Sequence, residues 1–250
     1  MYITIDSISK KYNFIPKGIL HLGGHQAEEA DDYKNVGCQK VIWIEGNPQL
    51  MDGLNNRLSN FPSNKAYNVL ISDVDNEKVS LNVTEFSQSS SILEPLITKE
   101  EHATKVISTM ELTTRRLDNY FREQNIDVSD CDFLNIDLQG YELKALKSLG
   151  NLLNNFEYIY TEVNIRHLYK DCPLLKEMDV FMLSKGFLRV QTYMTPWYWG
   201  DALYKRTKLT SSQQSKASFQ ILYRDIFTQV YILAKRSRAL LGKIKRTIIK

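Results

Sequence analysis

The sequence predicts an α/β chain: a Rossmann-like, mainly parallel seven-stranded sheet with an antiparallel closing strand and helices on both faces. Three observations predict it. Short apolar runs alternate with amphipathic stretches, the pattern of a parallel sheet covered on both sides. Several runs end in turn signals: Gly23-Gly24 after GILHL, Gly46-Asn47-Pro48 after KVIWIE, and Gln139-Gly140 after DFLNID. The length of 250 residues, 43% hydrophobic and 24% charged, suits one large domain with an appendage.

Taken in order, residues 1–17 form a lead-in helix and residues 18–22 the first strand. A polar helix follows from about His25 to Val36, stopped by Gly37. Residues 40–45 are the second strand. Asn47 as N-cap with Pro48 at the first helical position starts a helix running to about Asn60. Residues 66–71 are a third strand, and 78–83 alternate as a hairpin arm. Residues 87–91 form a polar loop and 106–112 a further strand, with Thr113 or Thr114 capping a helix through Phe121. Residues 132–137 are the next buried strand, followed by a helix through Leu149 and a strand at 158–163. Asp171 and Pro173 open a helix that Gly186 ends. Residues 187–194 and 202–206, joined by the aromatic PWYWGD loop, form an antiparallel closing pair. The main domain therefore spans 18–207. Residues 208–218, rich in Ser and Gln, are expected as a polar linker, and 219–250 as a basic amphipathic helix.

The net charge of +3 is too small to indicate a nucleic-acid partner, but it is unevenly spread. Arg224, Lys235, Arg236, Arg238, Lys243, Lys245, Arg246 and Lys250 face a single acid, Asp225, so the body before them is acidic. The tail places Phe219, Leu222, Ile226, Val230 and Leu233 at helical spacing, then interleaves bases with Leu240, Leu241, Ile244 and Ile248. Such a helix suits docking or homo-oligomerisation, or peripheral contact with an anionic membrane surface. The three cysteines, Cys38, Cys131 and Cys172, lack C-x-x-C spacing and suit a reducing compartment. With no signal-peptide pattern and no membrane-length apolar run, the expected location is the cytoplasm, with the inner membrane surface as the tail's alternative.

Ligands of such sheets bind beyond the carboxyl ends of the strands, at the topological switch point. The turn His21-Leu22-Gly23-Gly24-His25 allows backbone to approach a ligand closely. Glu45, ending the second strand, can accept bonds from ribose hydroxyls. Ser72 and Asp73 close the third strand and are candidates for an adenine ring. The glycines do not complete G-x-G-x-x-G, which favours S-adenosylmethionine, a cofactor without phosphate, over NAD. A hydroxyl acceptor needs a base, and the candidates are Asp137, Glu162 and His167. Trp197 and Trp199, with Tyr198 between them, offer stacking surfaces for a sugar ring, and Ser90 within Ser89–Ser91 a hydrogen-bonding loop. His21, His25, Asp137, Glu162 and His167 show no metal-ligand spacing, so no metal is expected.

Seven stretches in order carry a family resemblance: GILHLGGH (18–25), VIWIEGNP (41–48), NVLISD (68–73), SSSIL (89–93), TTRRLDNYF (113–121), IDLQGYE (136–142) and WGDALYKR (199–206). Together they resemble the FkbM-type family of class I methyltransferases, whose fourth strand ends I-D-x-E-G-x-E. Gln139 stands where that family usually has Glu. His21 and His25 stand where it often has an acid and a small or amide residue. The resemblance implies S-adenosylmethionine as cofactor and O-methylation, often of a sugar hydroxyl, nucleotide sugar or polysaccharide precursor. The competing functions are an NAD-dependent nucleotide-sugar oxidoreductase, an RNA methyltransferase, and a non-catalytic scaffold acting through its tail.

Overall fold

The computed structural model describes residues 2–96 and 105–210, then 212–213, 215–221, 228, 230–231, 233–235 and 237. Its elements are α1 (Ile5–Tyr12), β1 (Gly18–Leu22), α2 (Ala30–Asn35), β2 (Lys40–Glu45), α3 (Met51–Leu58), β3 (Asn64–Asn68), β4 (Leu70–Ile71), β5 (Lys78–Thr84), β6 (Val106–Arg115), α4 (Leu117–Glu123), β7 (Phe133–Ile136), α5 (Glu142–Ser148), β8 (Tyr158–Asn164), α6 (Leu175–Ser184), β9 (Phe187–Met194) and β10 (Trp199–Arg206). The seven-stranded sheet runs β3-β2-β1-β7-β8-β10-β9. The first five strands are parallel, and β10 inserts antiparallel between β8 and β9.

Every residue of β1, β7 and β8 is buried, as a parallel sheet covered on both faces requires. Alternation then divides the core. Leu20, Leu22, Ile42, Ile44, Leu134 and Ile136 pack beneath α4, α5 and α6, while Ile19, Val41, Trp43, Phe133 and Tyr158 pack beneath α1, α2 and α3. The chain leaves β1 for β2 on one side and reaches β7 on the other, so the switch point lies between β1 and β7.

Several elements differ from the expectation. The helix after the glycine turn begins only at Ala30, because His25 (φ 38°) and Ala27 (φ 55°) are left-handed and cannot be helical. Asn47 caps a 3-10 turn at Pro48–Leu50 before α3 begins. The third strand breaks at Val69: residues 64–68 stay in the large sheet, while β4 joins β5 and β6 in a second, three-stranded sheet. Thr114 lies inside β6, where its hydroxyl donates to the Val74 carbonyl instead of capping a helix. The closing strand starts at Trp199, so half of the aromatic loop is strand.

The segment 208–218 is not the expected plain linker. Thr210 and Gln213 form a reciprocal cap, Thr210 N donating to Gln213 Oε1 at 2.9 Å and Gln213 N to Thr210 Oγ1 at 3.4 Å. Helix follows at 212–213 and 215–221. Its polarity reflects exposure, not lack of structure. Further along, Phe219, Val230 and Leu233 are exposed. Lys235 touches the body, donating to the Met194 carbonyl at 2.9 Å and lying over the Tyr193 ring. Leu222, Ile226, Leu240, Leu241, Ile244 and Ile248 lie outside the described residues. Among the described residues, no helix is long and apolar enough to cross a membrane.

Candidate active site

One sheet face becomes polar toward the strand ends. On β1 it reads Ile19, His21, Gly23; on β2, Val41, Trp43, Glu45; on β7, Phe133, Asn135, Asp137; on β8, Tyr158, Tyr160, Glu162; on β10, Leu203 then Asp201. The ends of these strands border a cavity of about 1050 Å3 over the switch point, roofed by residues 86–92 of the second sheet's arm.

The glycine turn is built by close approach. Gly23 (φ 92°) and Gly24 both donate to the Ile44 carbonyl at 2.9 Å, and a Cβ on Gly23 would sit 2.0 Å from the Asp137 carbonyl oxygen. Gly24 does not line the cavity; it packs behind it against Leu54 and Trp43. Glu45 is 8% exposed, and its two carboxylate oxygens accept from His25 N at 2.9 Å and Asn47 N at 2.7 Å. Burial raises its pKa, and those backbone bonds offset part of the rise.

His21 borders the cavity but belongs mainly to a buried network. Its Nδ1 lies 2.9 Å from Tyr33 Oη, Asn135 Nδ2 donates to that oxygen at 2.6 Å, and the ring stacks on Trp43. Burial lowers its pKa to about 3, so it is neutral. His25 instead ties the roof down. Its Nδ1 lies 2.6 Å from Glu28 Oε1, its Nε2 lies 2.7 Å from Ser87 Oγ, and Gln88 Nε2 donates to Glu28 at 3.1 Å. The bond to Glu28 raises the His25 pKa.

On the opposite wall Asp137 is exposed into the cavity, just past the buried strand β7. Burial, then the charges of Asp201 and Glu29, push its pKa up to about 6 against the pull of its bond from Gln139. Glu162, 7% exposed, is held well above the usual carboxyl range by burial and by Asp137, Glu142 and Asp201. Gln139 spans the two, its Nε2 donating to Asp137 Oδ1 at 2.6 Å and to Glu162 Oε2 at 3.2 Å. Tyr169 fixes that amide by donating to Gln139 Oε1 at 2.8 Å, and Ser91 donates to the Gln139 carbonyl at 2.8 Å. Gln139 is left-handed at φ 52°, a shape secured by Glu142 accepting from Leu138 N and Gly140 N.

The structure brings His21, Gly23, His25, Glu45, Ser90, Asp137, Glu162, Trp197 and Trp199 to the cavity and leaves four candidates outside: Gly24, Ser72, Asp73 and His167. Ser72 is buried beneath Tyr141, and Asp73 turns to Arg116 and Lys144. The strand break at Val69 carries both into the second sheet's base, so Val69, Leu70 and Ile71 line the cavity instead. His167 lies off the cavity with Nδ1 2.9 Å from the Cys172 carbonyl oxygen; its loop turns Leu168 and Tyr169 inward. Sequence reasoning missed Tyr2, Asn135, Tyr160, Tyr169 and Asp201 and gave Gln139 no site role. The signal for Asn135, Tyr160 and Asp201 was their alternation with Asp137, Glu162 and Leu203. Nothing local marks Tyr2. Among the described residues, no group of three or more His, Cys, Asp or Glu side chains is arranged to hold a metal ion.

A profile of the methyltransferase FkbM domain matches residues 21–189. The chain belongs to the FkbM methyltransferase domain family. The matched span runs from the glycine turn into β9 and contains both Glu45 and the Asp137–Glu162 pair. Among solved structures, the methyltransferase FkbM of Methylobacillus flagellatus KT is similar at 16% identity and a TM-score of 0.50, covering 75% of this chain. This chain covers only 43% of that FkbM protein, less than half its length. A protein of the NADB-Rossmann superfamily from Streptococcus agalactiae is 14% identical over 97% of this chain and 90% of its own, with a TM-score of 0.47. Fibrillarin of Aeropyrum pernix, solved with S-adenosyl-L-methionine, is 12% identical over 74% of this chain and 65% of its own, with a TM-score of 0.45. No curated protein matches the chain.

Proposed function

We propose that this chain transfers the methyl group of S-adenosylmethionine to a hydroxyl oxygen of a sugar-type acceptor. The observation that carries the reading is one cavity with Glu45 on its β2 wall and Asp137 on its β7 wall, across the switch point.

The residues present fit the cofactor. Each Glu45 oxygen takes one backbone N–H and keeps acceptor capacity for a ribose diol. Gly23 leaves space where any side chain would collide with Asp137. A dinucleotide fits poorly: α2 starts at Ala30, so no helix N-terminus meets the glycine turn to hold a pyrophosphate. Among the described lining residues there is also no Lys or Arg, which disfavours a phosphate-rich RNA acceptor equally.

Bound there, S-adenosylmethionine supplies a sulfonium-activated methyl group. Asp137 takes the proton of the acceptor hydroxyl; a pKa near 6 leaves it ionised at neutrality yet more basic than an ordinary aspartate. Gln139 orients that carboxylate through Oδ1 and separates it from Glu162. Trp197 and Trp199 give the acceptor ring apolar faces, and the contact between His25 and Ser87 ties the roof to the glycine turn.

Calorimetry with S-adenosylmethionine, S-adenosylhomocysteine and NAD tests the reading. Saturable binding of both sulfur compounds without NAD binding is the expected result. Failure of both to bind would overturn it.

A further inference from the structure

The acceptor half of the cavity carries a row of three carboxylates that the transfer reaction alone does not require. Ile136 pairs with Thr161 across β7 and β8, which sets Asp137 beside Glu162, and Glu162 pairs directly with Asp201 across β8 and β10. Like charges facing each other on neighbouring strands oppose folding. At about 4.8 Å per strand the row extends roughly 10 Å away from the glycine turn.

Each carboxylate is only half satisfied. Asp137 Oδ1 and Glu162 Oε2 share the Gln139 amide. Asp201 Oδ2 accepts from Tyr2 N at 2.7 Å and from the Tyr160 hydroxyl. The second oxygen of each takes no hydrogen bond among the described residues, although Glu162 is 7% exposed and Asp201 5%. All three line the cavity, as do Glu28, Glu29 and Glu45, with no Lys or Arg among the described lining residues. Beside Asp201 stand aromatic faces: Tyr2 lies 5.5 Å from the Trp199 ring, and Trp197 lines the same region.

Carboxylates that keep one oxygen open to a cavity, flanked by aromatic rings, are the chemistry that receives an ammonium group on a polar ring. A phosphate would enter against the same field, with no Lys or Arg among the described lining residues to meet it. We infer that the acceptor is a phosphate-free amino sugar, or a comparable ammonium-bearing polyol, held by the Glu162–Asp201 end of the row. This rests on the methyl-transfer reading and narrows it, excluding nucleotide sugars. A cation arriving there displaces the proton of Glu162, whose carboxyl burial and the neighbouring acids hold above its usual range, so binding releases a proton.

The test uses the full chain saturated with S-adenosylhomocysteine and titrated with D-glucosamine, N-acetyl-D-glucosamine and D-glucosamine 6-phosphate. Glucosamine is expected to bind at least about tenfold more tightly than the other two. Repeating the titration in buffers of different ionisation enthalpy should reveal proton release. Asp201→Asn, which keeps an acceptor for Tyr2 N and Tyr160, should reduce the preference to within about twofold while S-adenosylhomocysteine still binds. Glu162→Gln gives a second variant should the first fold poorly. Equal or tighter binding of the N-acetyl or phosphate compound overturns the inference, as does no binding of glucosamine or an unchanged preference in both variants. Failure of S-adenosylhomocysteine itself to bind would instead sink the methyl-transfer reading.

Discussion

Glu45 and Glu162 lie near the carboxyl ends of β2 and β8, on one sheet face with β1 and β7 between them, and are similarly buried, at 8% and 7% exposure, yet their charges are treated differently. Glu45 receives backbone N–H groups from the turns on either side of it, His25 and Asn47. Glu162 receives one side-chain amide, from Gln139, and faces Asp201. A carboxylate held by backbone is fixed wherever the chain folds. A carboxylate left beside others keeps a raised pKa and an unmet demand for a cation or a proton. On the proposed reading the β2 wall is preformed for binding, while the acidic wall stores unfavourable electrostatics that chemistry can use.

The sharpest way to break this contrast is Asp137→Asn. Turnover should fall about 10²- to 10⁴-fold, with S-adenosylhomocysteine affinity within about threefold by calorimetry. The wild-type rate should report the same group. Its pKa lies near 6, so lowering pH through that value protonates the base, and kcat should drop about tenfold per unit below it. A flat profile from pH 5 to 8 would remove Asp137 as the base.

Next in size is Gly23→Ala, which strikes the point where the two walls touch. A methyl group would meet the Asp137 carbonyl at 2.0 Å on a φ of 92°. Stability should fall by about 2–4 kcal/mol in urea denaturation, with loss of cofactor binding. Glu45→Gln should then weaken S-adenosylhomocysteine binding roughly 10- to 100-fold, since an amide cannot accept at both oxygens. Wild-type affinity in that variant would mean the ribose lies elsewhere.

The smallest effect runs the other way. Burial raises the Glu162 pKa, so the folded chain holds more protons than the unfolded one as pH climbs above the ordinary carboxyl range. The stability this proton confers is complete at low pH and lost as pH rises through the folded value. Glu162→Gln should therefore raise Tm by a few degrees at pH 8, about 1 kcal/mol or less, and leave it nearly unchanged at pH 4. A lower Tm at pH 8 would show Glu162 to be structurally satisfied.

Much of the β2 wall was legible because its geometry is local. Gly23 and Glu45 each lie at the end of an apolar run, and a strand's end is where a ligand-facing residue belongs. Ser72 and Asp73 sat in the same kind of place but lie off the cavity. Nothing in AYNVLI announces that Val69 breaks the strand and sends Leu70 and Ile71 to another sheet. His167 lies off the cavity for a related reason: within a loop, composition does not say which side chain turns inward, and Tyr169 does.

By itself the sequence determined the α/β alternation, the glycine turn and the acidic strand ends, because each depends on residues a few positions apart. Only the tertiary structure decided that Asp137, Glu162 and Asp201 form one row, since strand order places β10 beside β8 and register sets Asp201 opposite Glu162. Burial and the charges of neighbouring acids, which raise Asp137 and Glu162, depend on distance in space and have no signature along the chain. Gln139 joins the two levels: a departure visible in the sequence, it acquires a role only where folding sets its amide between two carboxylates.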